Sequence, residues 1–152
     1  SIVSALFNDN AAFYTPLPES LLRIQRREFF RLSIPIGAPI ICAIPIPSGK
    51  PNEPAVIRKI NILDISCGGV ALLCDEQEKD LQRGILFKNC RILLPGSDAL
   101  TVSIEVKDTV DFATPNGLVI KRVGCQFVHP GHETTQLLQN YINRLQRESM
   151  VR

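Results

Sequence analysis

Four arginines, Arg23, Arg26, Arg27 and Arg31, stand within nine residues in the stretch "RIQRREFFRLSIP", with only Glu28 to offset them. A guanidinium is a planar, permanently charged fork. It donates in pairs to phosphate oxygens or to the O6 and N7 edge of guanine, and it stacks on rings. Arg27 and Arg31 are four positions apart, a spacing that puts both side chains on one side of a helical or extended chain, so both can act on one ligand. Taken alone, the pair reads as a solvated basic patch with Glu28 bonded to a neighbour. A second group of residues offers complementary chemistry. In "NILDISCGGVAL", Asp64, Ser66, Gly68 and Gly69 form an Asp-x-Ser-x-x-Gly turn. Such a turn has a structural use, since Asp and Ser bond nearby backbone amides and Gly supplies unusual dihedrals. It also has a chemical one: a carboxylate can accept from the N1 and N2 edge of guanine, while a bare Gly-Gly backbone lets a ligand approach.

The elements that must position these groups follow from periodicity. "AVIRKINILDIS" sets Ile60 and Ile62 against Lys59 and Asn61, and "LTVSIEVKDTVDF" sets Val102, Ile104 and Val106 against polar neighbours. This is the period of a half-buried strand. Turn chemistry separates the runs at 47–54, 67–69, 95–99 and 114–117, with Asn116-Gly117 the strongest hairpin signal. Strands are predicted near 30–46, 55–65, 69–74, 85–94, 100–112 and 118–129, and the polar segment "DEQEKDLQRG" reads as one helical turn. The fold is therefore mainly β, a six-stranded antiparallel β-barrel, because closure removes exposed edges. Past Pro130-Gly131 the period changes. Leu138, Tyr141, Ile142 and Leu145 fall at helical spacing, with Thr134 or Thr135 as the cap, so a C-terminal amphipathic α-helix closes the chain and caps an open end of the barrel.

Composition narrows the function. The chain has 152 residues, 45% hydrophobic and 21% charged, enough for one domain with flanking sequence. A net charge of +2 is too small for a protein that coats DNA. The arginine cluster is thus local and suits a small anion at least as well as a polymer. The apolar run at 34–47 is shorter than a bilayer span and is broken by Pro35, Pro39, Pro45 and Pro47, so no membrane span is expected. Five cysteines without a CxxC pair read as core thiols in a reducing cytoplasm rather than disulfides or a zinc site. His129 and His132 form an HxxH with nothing to complete a metal shell and read as a strand-end turn. Ser66 has Asp64 close by but no base, so no catalytic residue, and no enzyme, is expected.

"RREFFR", then "DISCGG" some thirty residues on, then "GCQFVHP" and a closing amphipathic helix, resemble the PilZ domain family in order and spacing. The resemblance spans residues 22–148. It implies binding of the bacterial second messenger cyclic di-GMP. On that resemblance Arg27 and Arg31 grip phosphates and guanine Hoogsteen edges, Asp64 and Ser66 hold a guanine, and Gly68 and Gly69 keep the turn open. Arg26 matches the additional arginine of members that bind an intercalated pair of ligand molecules; Arg23 has no role. The opening "AAFYTPLPESLLRIQRREFFRL" is similar to the junction in flagellar brake proteins of the YcgR type. This implies that residues 1–20 are the end of a preceding domain and its linker, and that 21–152 is the PilZ domain. It further implies a cytoplasmic protein acting at the flagellar basal body on a stator or rotor protein. Two alternatives remain: a small barrel that binds single-stranded nucleic acid with Phe29 and Phe30 as stacking platforms, and a ligand-free interaction module.

Overall fold

A computed structural model of the protein describes residues 3–7, 10–14, 30–35 and 37–150. Arg23, Arg26, Arg27 and Phe29 lie outside the described residues. β1 (Val3–Phe7) and β2 (Asn10–Tyr14) pair antiparallel as a two-stranded sheet of their own. The main sheet comprises β3 (Leu32–Ser33), β4 (Ile41–Ile46), β5 (Val56–Ile65), β6 (Gly69–Asp75), β7 (Leu86–Leu93), β8 (Leu100–Ala113) and β9 (Val119–Phe127), and helix α1 (His132–Met150) follows. Its strands run β5-β4-β7-β8-β9-β6, and β6 pairs back onto β5. That last pairing closes the expected six-stranded antiparallel barrel, with β3 as an extra strand on β5.

The run at 30–46 is not one strand. Eight positions separate Ser33 from Ile41, whereas their partners on β5, Asp64 and Asn61, are only three apart. Five residues around Pro35, Gly37 and Pro39 therefore loop out of a single line of pairing, where prolines cannot donate to a ladder. Pro45 is tolerated inside β4 because β7 pairs only with Ile41 to Ala43. The polar segment after β6 is not a helical turn either. Side chains hold it as turns and bends: Asp75 accepts from the Gln77 amide at 2.9 Å, and Glu78 from the Asp80 amide at 3.0 Å. The Asn116-Gly117 signal does mark a hairpin. Gly117 has φ 82°, its amide donates to Thr114 at 2.9 Å, and the Thr114 amide donates to Leu118 at 2.8 Å.

Inward-facing residues of all six barrel strands form one core with Leu138, Tyr141 and Ile142 of α1. The helix begins at His132, earlier than a Thr cap requires, and the Thr135 amide donates to the carbonyl of Gly131 at 3.0 Å. It lies against the end of the barrel that carries the β5–β6 and β7–β8 connections: the Cys67 thiol donates to Gln139 at 3.0 Å, and Arg144 donates to the Pro95 carbonyl at 3.4 Å. Among the described residues no helix is long and apolar enough to cross a membrane.

All five cysteines are free and buried. Burial pushes the Cys74 and Cys90 thiols up to about 11 and Cys125 to about 12, and raises Cys42 and Cys67 as well. Two consequences are expected. At neutral pH a thiol reagent reacts slowly with the folded protein and with all five cysteines once urea unfolds it. Because the folded state favours the protonated thiol, its stability falls as pH rises above 9, where unfolded thiols ionise, and continues to fall toward 11–12. An alkaline urea series measures this; a flat profile from pH 8 to 11 would contradict it.

Candidate ligand-binding site

Two β-bulges shape the outer wall of the barrel. On β5, Ile60 and Ile62 point into the core, and strict alternation would turn Asp64 inward as well. The pairing with β6 slips between Ile62 and Asp64, so the parity reverses: Asp64 faces out, opposite Ala71, and Ile65 is fully buried. β8 repeats the device. Val102, Ile104 and Val106 face the core, a slip follows at Lys107, and Asp108 emerges on the outside opposite Gly124. Across the sheet Asp108, Gly124, Ala71 and Asp64 then form one row on β8, β9, β6 and β5. The result is a floor of small residues with a carboxylate at each end, roughly 14 Å apart at ordinary strand spacing.

The turn from Ser66 to Gly69 bounds this floor. Ser66 is buried, and its hydroxyl oxygen accepts from the amides of Gly68 at 3.1 Å and Gly69 at 3.2 Å, while its own amide donates to the Gly69 carbonyl at 2.9 Å. Gly68 is tied to the next strand through its carbonyl, which accepts from Phe127 at 2.9 Å. Space, rather than a left-handed conformation, requires glycine at 69: a Cβ there would lie 2.0 Å from the carbonyl oxygen of Cys125. Ser66→Ala leaves two amides without their acceptor. The expected cost is about 1–2 kcal/mol, read as a lower urea midpoint.

An open cavity of about 520 Å³ lies over this surface. Arg31, Asp64, Ser66, Gly68 and Gly69 all line it, so the structure brings together every anticipated site residue that it describes. Arg26 and Arg27 fall outside the described residues. The cavity also contains Lys107, Asp108, Arg122, Gly124 and Gln126, which the sequence reading did not single out. Arg122 matters most among them, since its Nη2 bonds Asp64 Oδ2 at 2.9 Å with both side chains about three-quarters buried, at 27% and 22% exposure. Three cations and two carboxylates face the space, an arrangement suited to an anion that also carries hydrogen-bond donors. Phe30 is 59% exposed, and Phe29 lies outside the described residues.

His129 lies in the bend after β9, at φ 44°, and His132 opens the helix. Among the described residues no group of three or more His, Cys, Asp or Glu side chains could hold a metal ion.

Known proteins share this architecture. The flagellar brake protein YcgR of Janthinobacterium sp. (strain Marseille) is 36% identical over 149 residues, 97% of this chain and 58% of its own length. The chain thus spans little more than half of that relative. Among solved structures, the PilZ domain with c-di-GMP of YcgR from Escherichia coli superposes with a TM-score of 0.69 at 20% identity, covering 82% of this chain and 95% of its own. The crystal structure of YcgR in complex with c-di-GMP from Escherichia coli covers 98% of this chain and 58% of its own, with a TM-score of 0.67 at 21% identity. At that identity the two superpositions establish the fold. Residues 25–144 match the family model of the PilZ domain, and with the motif order, the closed barrel and the capping helix all in place, the chain belongs to the PilZ family.

Proposed function

We propose that this domain is a receptor for cyclic di-GMP that relays ligand state to flagellar motility, and that it acts by binding rather than by catalysis. One observation carries the reading: Arg31, Asp64 and the Ser66–Gly69 turn, drawn from segments more than thirty positions apart, converge on a single open cavity. Arg27 and Arg31 supply forked donors to phosphate and guanine, Asp64 accepts from the guanine N1 and N2 edge, and the turn backbone admits the ring. Membership of the PilZ family and the likeness to flagellar brake proteins support the ligand and the motility role. The four clustered arginines repel one another, so an anion that neutralises them biases the orientation of what precedes them. Residues 1–20 then act as the end of a preceding domain and its linker, and the target is a stator or rotor protein at the flagellar basal body in the cytoplasm. The exposed Phe30 beside Arg31 favours single-stranded nucleic acid as a second reading. Asp64 and Asp108 in the cavity oppose it, since they repel a polyanion.

Isothermal titration with cyclic di-GMP in moderate salt tests the proposal. Saturable heat is expected; none at tens of micromolar ligand, or tighter binding of an oligonucleotide with a steep salt slope, would sink it. The same titration counts ligands. If Arg26 supports an intercalated pair, Arg26→Ala moves the stoichiometry from two per chain toward one, and an unchanged ratio removes that role.

A further inference from the structure

Arg122 enters the site from a position that none of the anticipated motif residues covers. It stands on the outer face of β9, with Leu73 of β6 and Val110 of β8 as its register partners on either side. From there its side chain crosses β6 to reach Asp64 on β5, joining the two through Nη2 and Oδ2 at 2.9 Å. Among the described residues, Oδ1 of Asp64 has no hydrogen-bond or ion-pair partner, so the carboxylate is pinned at one oxygen and open at the other. A carboxylate on a bulge is free to rotate about two side-chain bonds, and one fixed charged bond removes most of that freedom before a ligand arrives.

We infer that Arg122 is a positioning residue that sets base selectivity: by holding Asp64 through Oδ2 it presents Oδ1 to the N1–H and N2–H donors of a guanine. The inference rests on the proposed reading of Asp64 as the guanine acceptor. It also accounts for a cation placed deep in the cavity, where a ligand phosphate would be expected to compete for it. Asp64 already holds the Nη2 end of its guanidinium, so Arg122 acts through the carboxylate and Arg31 is left for the phosphate.

Affinities of cyclic di-GMP and of cyclic di-IMP, which lacks only the 2-amino group, separate the possibilities. Wild type is expected to prefer cyclic di-GMP. Arg122→Gln should weaken cyclic di-GMP about tenfold, equivalent to about 1.4 kcal/mol, and bring the ratio of the two affinities toward one. Arg122→Lys, which keeps the charge, should recover part of the preference. In an Asp64→Ala background, Arg122→Gln should change cyclic di-GMP affinity little, because the residue it acts through is gone. Equal weakening of both ligands by Arg122→Gln would make Arg122 a phosphate contact and overturn the inference, as would an unchanged ratio or additive losses in the double variant. A merely structural role would lower the urea midpoint without moving the ratio, and that too overturns it. If wild type binds cyclic di-GMP but Asp64→Ala binds as tightly as wild type, or if wild type does not bind at all, the proposed site itself fails, and this inference with it.

Discussion

Arg31→Ala is expected to weaken cyclic di-GMP binding by roughly 30- to 100-fold while leaving the urea midpoint where it was. The size follows from losing charge-assisted, forked hydrogen bonds, worth about 2–3 kcal/mol in a partly open site. The absence of a stability effect follows from position. Arg31 is exposed, precedes the pairing of Leu32 and Ser33 with β5, and forms no ion pair among the described residues. Its charge is therefore held for a ligand, unlike that of Arg122, which Asp64 already satisfies. Salt sharpens the comparison: because the cavity is open, the wild-type affinity falls as ionic strength rises, and Arg31→Ala should show a shallower slope. Titrations at two salt concentrations, with a urea melt of each protein, test both halves. A variant that binds like wild type would remove Arg31 from the site, and one that unfolds earlier would make it structural.

The barrel was legible because alternation reports burial directly. Val102, Ile104 and Val106 on β8, and Ile60 and Ile62 on β5, face the core as their spacing predicts. The site was legible only at its turn, where Asp, Ser and Gly announce themselves by type. The rest depends on bulges, and these leave a fainter trace. Ile62 and Ile65 are both buried although three positions apart, a spacing incompatible with strict alternation and the sign of the slip that turns Asp64 outward. Arg122 carried no such mark, since an outward cation on a strand looks the same whether it is solvated or bonded across two strands. The break between β3 and β4 was visible in Pro35, Gly37 and Pro39 but was outweighed by the apolar run around them. Gly124 sits inside a strand pattern, a signal of close approach that local periodicity cannot attribute to a partner.

Gly69→Ala is expected to have the largest effect on stability, and the contrast with Gly124→Ala explains why. A Cβ at 69 would meet Cys125 O at 2.0 Å, and Cys125 C and Gln126 Cα at 3.1 Å, all atoms of the β9 backbone. No side chain can move aside, so β6 and β9 must separate where Gly69 pairs with Gln126, and the neighbouring bond from Phe127 to Gly68 is lost with them. Overpacking against fixed backbone and a broken buried bond together cost about 3–4 kcal/mol, a large share of the stability of a domain this size. A Cβ at 124 would lie 2.1 Å from Asp108 Oδ1, the end of an exposed side chain that can rotate away. Gly124→Ala should therefore lower the urea midpoint only slightly, while swinging Asp108 out of its row and altering ligand affinity. Urea unfolding at constant m-value checks the ranking. Equal midpoints for the two variants would mean that β6 and β9 have slack at Gly69, and that the turn carrying Ser66 is not clamped by the strand beside it.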